Sequence, residues 1–305
     1  MELLKNRNVA LRAGAWAGVV LAFAWAYWPT LQGLAETWSK DPNYSQGFLV
    51  PLIALAILWH RGRAEGRGAG PGPLAFGVLL LATALRLTGA YFFLTPLDHL
   101  SLLLALAGVC LVLGGRPWLG RAWPAIAFLL FMVPVPRSLG GTQLIAGLQQ
   151  MATASSTFVL QTLGVTAQRE GNVIILKNSE LGIVEACSGL RMLMVFCALA
   201  TATAILLPYG WKRRTILVLS AIPLALVCNL VRITAAGIAG DALGQETGHF
   251  VFHDLAGWLM VPLAFALLGA ELFLLSRLFR PGTEEAAPLQ LAHLLRDHLS
   301  TPAGA

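Results

Sequence analysis

Charge is what this chain has least of. Only 12% of its 305 residues are Asp, Glu, Lys or Arg, about half the share carried by an ordinary soluble domain. With 57% hydrophobic residues and a mean hydropathy of +0.71, a soluble globular fold is excluded and an integral membrane protein is left. Cysteine is scarce as well. Cys110, Cys187, Cys197 and Cys228 lie in or at the edge of apolar runs and show no CxxC spacing, so neither a zinc site nor a disulfide framework is expected. No cofactor is implied and no internal repeat is present. The net charge of +6 does not indicate a nucleic-acid binder, because the basic residues sit in short clusters between apolar runs, as juxtamembrane anchors do.

The apolar runs are numerous. Stretches suited to cross a bilayer fall at about 13–31, 47–60, 74–93, 100–115, 122–136, 188–207, 215–238 and 255–276, against the roughly 20 residues that a helix needs, with latitude for tilt; those at 47–60 and 122–136 are short and read as tilted, extended or partly re-entrant. The expected fold is therefore an all-α polytopic membrane protein with about eight transmembrane helices. The first run, flanked by basic residues, has a cleaved signal peptide as its alternative, but it outlasts a typical signal core. Basic groups at 5–12, 61–67, 116–121, 212–214 and 277–296 all fall on one side of this arrangement, against Lys40, Arg137, Arg169 and Lys177 on the other. By the positive-inside rule both termini are cytoplasmic. Residues 1–280 form the membrane domain and 281–305 a short cytoplasmic tail.

Three external segments remain. "LQGLAETWSKDPNYSQG", 31–47, reads as a short loop rich in aromatic and polar residues. The segment 137–187 opens with "LIAGLQQMATASSTFVLQTLG", whose apolar positions suit an amphipathic helix at the interface. "NVIIL" and "LGIVE" around "KNSE" then read as a β-hairpin, which delivers the chain to the start of span six. The third is "DALGQETGHFVFHD", 241–254.

The polar residues at these external ends carry the chemistry. Cys187, in "EACSGLRML", stands at the start of span six with Arg191 one helical turn deeper. A helix N-terminus and a guanidinium both favour thiolate, while Glu185 opposes it; the plainer reading is a small packing residue. Arg232 lies inside span seven, where a charge normally faces a polar cavity or a partner, and Asn229 shares its helix face. A structural ion pair with Glu185, Asp241 or Asp254 is the alternative. His253 opens span eight beside Asp254, with His249 as competitor, and an imidazole there exchanges protons near neutral pH. Arg86 in span three reads as structural or snorkelling. Together, a thiol, a guanidinium and an imidazole at the external ends of three consecutive spans are the parts of a cysteine acyl-transfer site.

"EACSGLR", "NLVRI" and "HDLAGW" resemble the three catalytic motifs of the exosortase and archaeosortase family of membrane transpeptidases, in that family's order and membrane setting. "WSKDPNYSQGFLVP" and "FMVPVPR" resemble further family segments, so the similarity covers roughly 35–275. It implies that Cys187 is the nucleophile, Arg232 the arginine and His253 the histidine of a triad. The implied substrates are membrane-anchored exported proteins with a C-terminal sorting signal: a motif such as Pro-Glu-Pro, a membrane helix and a basic cluster. The implied location is the inner membrane, with the site facing the exterior. The acceptor, the sorting motif and the oligomeric state stay open. Where the family often reads Tyr-Ser-His-Gly, this chain has Tyr44, Ser45, Gln46 and Gly47; Tyr44, Ser45 and Gln46 are substrate-loop candidates, but no histidine role transfers. Two rivals stand beside this reading: a transporter or binder with Arg86, Arg191 and Arg232 along an anion path, and a purely hydrolytic intramembrane protease.

Overall fold

The computed structural model describes Gly14 and residues 17–62, 72–136, 140–183, 189–244 and 256–278. These are mostly helix: α1 (Ala17–Ala26), α2 (Trp28–Lys40), a 3-10 segment (Pro42–Phe48), α3 (Leu49–His60), α4 (Pro73–Tyr91), α5 (Thr95–Phe128), α6 (Gly141–Thr162), α7 (Leu190–Leu206), α8 (Trp211–Leu243) and α9 (Ala256–Leu278). A short sheet of β1 (Ala167–Glu170), β2 (Val173–Leu176) and β3 (Glu180–Gly182) lies between α6 and α7.

The surface is the reverse of a soluble protein's. Trp25, Trp59 and Phe93 are more than four-fifths exposed, while the buried positions include Ala82, Ala198, Ala200, Ala202, Ala221, Ala225 and Ala236. Small residues let helix backbones approach closely where lipid, rather than water, bathes the large apolar side chains. Three helical stretches, Pro73–Tyr91, Thr95–Met132 and Trp211–Leu243, are long and apolar enough to cross a membrane. The chain is a helical membrane protein.

α5 is kinked at Gly115. Gly115 sits at φ 69°, ψ −163° inside α5, a left-handed conformation that glycine adopts without strain. Pro117 follows in the first turn of the second half, where a missing N–H costs nothing. In the first half, Asp98 and Ser101 bond Thr30 and Tyr27; in the second, Arg121 donates to the Leu58 carbonyl at 3.0 Å and the Met132 carbonyl accepts from Trp38.

The stretch 31–47 corrects the expectation of a loop. α2 continues to Lys40, which pairs with Glu36 at 3.1 Å, and polar residues at i,i+4 spacing are helix surface rather than loop. The Asp41 side chain then accepts from the Asn43 N–H at 2.9 Å and starts the 3-10 turn. This turn is buried: Tyr44 Oη accepts from the Val135 N–H at 3.1 Å, and Trp38 Nε1 donates to the Met132 carbonyl at 2.9 Å. A Cβ on Gly47 would lie 2.3 Å from the Trp38 indole nitrogen. Gly47→Ala is therefore expected to cost about 1–3 kcal/mol by overpacking, read as a melting temperature lowered by a few degrees in detergent. Gly33→Ala, where nothing lies within 4 Å of the added methyl, is expected to be neutral or better.

α6 is the amphipathic helix, but it faces outward with its large residues. Leu144, Met151 and Phe158 are exposed while Thr153, Ser156 and Thr157 are buried. The hairpin is present as β2 and β3, and β1 makes it a three-stranded antiparallel sheet in the order β1-β2-β3. Its inner side chains Ala167, Ile174, Leu176 and Leu181 cluster with Leu160 of α6 and with Ile233 and Ala236 of α8.

Candidate active site

α8 divides by face. Val227 and Val231 are half-exposed on one side, while Cys228, Asn229, Arg232 and Ile233 are buried on the other. Arg232 is only 7% exposed, and a guanidinium in a membrane helix is kept there by a polar cavity or a partner.

α7 begins against this face. Gly189, its N-cap, has φ +92°, and a Cβ there would lie 3.0 Å from Asn229 Nδ2. Glycine is required twice, for the left-handed backbone and for the close approach. Asn229 thus seats the start of α7 and does not line the cavity.

The cavity itself has a volume of about 320 Å³. Its polar lining is Ser45 and Gln46 from the 3-10 segment, Arg191 from α7 and Arg232 from α8; its walls are apolar residues of α3 and α7, with Phe265 of α9. Four residues singled out in the sequence therefore share one space, although more than 140 positions separate the 3-10 segment from α7. Tyr44 stands outside it and braces the segment through Val135. Two guanidiniums against apolar walls can stabilise negative charge strongly, because few waters compete with them.

Cys187, His253, Glu185, Asp254 and His249 lie outside the described residues, as does the tail 281–305. The elements on either side of the first group are placed. Upstream of 184–188, the Ile183 N–H donates to the Asn172 carbonyl at 2.8 Å and Gln149 Nε2 donates to the Ile183 carbonyl at 3.2 Å. Downstream stands Gly189 against Asn229. α9, whose Phe265 reaches the cavity, begins three residues after His253.

Arg86 belongs elsewhere. It pairs with Asp98 at 3.9 Å and lies 4.3 Å over the Tyr27 ring, while Thr30 donates to the same carboxylate at 2.6 Å. It is not among the residues that line the cavity with Arg191 and Arg232. Cys110, Cys197 and Cys228 lie within helices and in no disulfide among the described residues. The sequence reading missed Glu271, in "GAELF" of α9, which accepts a hydrogen bond from Ser220 Oγ of α8. A carboxylate inside an apolar run was the available signal.

A family model described as transmembrane exosortase matches residues 38–270, about three quarters of the chain. No curated protein and no solved structure matches.

Proposed function

From its membership of the transmembrane exosortase family, a membrane protein family that processes sorting signals, we propose that this chain is a cysteine transpeptidase acting on the C-terminal signal of exported proteins. The observation that carries the reading is the buried Arg232, sharing a cavity with Arg191 and the 3-10 segment. Cys187 precedes Gly189 by two residues, at most about 7 Å of extended chain, and His253 precedes Ala256 by three.

In this mechanism the Cys187 thiolate, its proton held by His253, attacks the scissile carbonyl carbon. The carbonyl electron pair moves to oxygen, and Arg232 stabilises the oxyanion. Collapse breaks the C–N bond, His253 gives its proton to the leaving amine, and a thioester remains on Cys187. An external amine, or water, attacks the thioester and frees the thiol. Analysis of the product distinguishes transpeptidation from hydrolysis.

The reading carries a topology: eight spans, residues 1–280 as the membrane domain, both termini and the tail 281–305 cytoplasmic, and the site on the external face of the inner membrane. One experiment tests chemistry and orientation together. Cells expressing a fusion that ends in Pro-Glu-Pro, a membrane helix and a basic cluster are treated with a membrane-impermeant maleimide. Processing is expected to stop, and a Glu246→Cys variant is expected to label in the same intact cells. Processing at full rate while Glu246→Cys is labelled would rule out an external thiol. Labelling of Glu246→Cys only after permeabilisation would overturn the topology.

A further inference from the structure

The 3-10 segment buries an amide that no described residue satisfies. Gln46 is 9% exposed, and both its Oε1 and its Nε2 are shut off from solvent with no hydrogen-bond partner among the described residues. Folded proteins pair such groups almost always, because an unpaired buried donor or acceptor loses its hydration for nothing.

Slack in the segment does not explain it. On one side Gly47 is pressed against the Trp38 indole, which is itself bonded to the Met132 carbonyl; on the other, Tyr44 is tied to Val135 and Asn43 to Asp41. These contacts hold the backbone of the segment and restrain nothing in the Gln46 side chain, which lines the cavity beside Arg191 and Arg232. The two cations already supply charge for an anion. What Gln46 adds is different: an acceptor and a donor on one planar group, pointing the same way.

We propose that Gln46 is a specificity-determining residue that holds one residue of the substrate in extended conformation, Oε1 accepting its N–H and Nε2 donating to its C=O. In an extended strand these two groups of a single residue lie on the same side, as in the bonded pairs of an antiparallel ladder. The inference rests on the peptide-cleaving reading above and names what the cavity recognises. The residue so held is not proline, which has no N–H. Since an amide does not titrate between pH 5 and 8, the contact is also indifferent to pH, unlike one made by histidine.

The test uses the full-length protein in lipid vesicles. Its probe is a synthetic peptide of Pro-Glu-Pro, a membrane helix and a basic cluster, together with copies in which the N–H of each non-proline residue in turn is replaced by an ester oxygen. For Gln46→Leu, Kd and KM are expected to rise about tenfold to a hundredfold. The kcat should stay within about threefold, and the melting temperature should not fall, since an unpaired amide has been removed. One ester copy is expected to bind wild type more weakly and to lose nothing further on Gln46→Leu. Unchanged Kd in Gln46→Leu, ester losses equal in both proteins at every position, or a lowered melting temperature overturns the inference. Wild type that binds the peptide without cleaving it sinks the catalytic reading instead, and the Kd comparison still decides the role of Gln46.

Discussion

Cys187→Ala is expected to abolish processing, by on the order of a thousandfold or more, while the protein accumulates in the membrane at its normal level. The asymmetry follows from covalent chemistry. Replacing a thiol by a methyl group removes one sulfur atom, but no other group can form the thioester, and enzymes that lose the nucleophile of a concerted unit fall to the residual rate of binding and oxyanion stabilisation alone. Cys110, Cys197 and Cys228 serve as internal controls, because each lies within a helix. Their alanine variants are expected to process substrate normally. The measurement is accumulation of uncleaved fusion against membrane abundance by immunoblot. Wild-type processing by Cys187→Ala ends the enzyme reading, and the cavity would then have to be explained as a binding site.

Arg232→Lys is the second large effect expected. Lysine keeps the charge but not the planar fork of donors, so an oxyanion held by a preorganised guanidinium loses most of its stabilisation. The loss of one such donor costs about 3 to 4 kcal/mol in the transition state, or roughly a hundred- to a thousandfold in rate, with substrate binding largely spared. A guanidinium present only to balance a charge would tolerate lysine far better. Arg86→Lys provides the comparison: its partners are Asp98 and the Tyr27 ring, lysine can satisfy both, and near-normal turnover is expected. Arg191→Lys decides between the two arginines of the cavity. Full turnover by Arg232→Lys with collapse of Arg191→Lys would transfer the oxyanion role to Arg191.

Those arginines were conspicuous in the sequence because a charge within an apolar run is costly wherever it occurs. The same signal marked Glu271, which went unread beside the arginines. The helices α4, α7 and α9 were legible for a related reason: each is a long, mostly apolar run with glycine, proline or charge near its ends. The continuation of α2 through Glu36 and Lys40 was not, since a polar helix surface and a loop have the same composition. β1 was invisible because only Ala167 of its four side chains points inward, which leaves no alternation to read. That Gln46 would meet Arg191 and Arg232 is a property of the assembled helices. No spacing within one segment encodes a contact across so many positions; the motif order carried it only through family resemblance.

The corner at Gly115 has a consequence for biogenesis. Two apolar helices joined by a single left-handed residue, with Arg116 and Arg121 just beyond it, have no intervening loop to be translocated or retained on its own. On the eight-span reading proposed above, they enter the bilayer as one hairpin, and the charged elbow stays behind on the side where it was made. Neither arm can adopt an orientation that the other does not share. The direction of insertion for everything between Thr95 and Met132 is, on that reading, fixed in one event, and the same unit carries the Met132 carbonyl that receives the indole of Trp38.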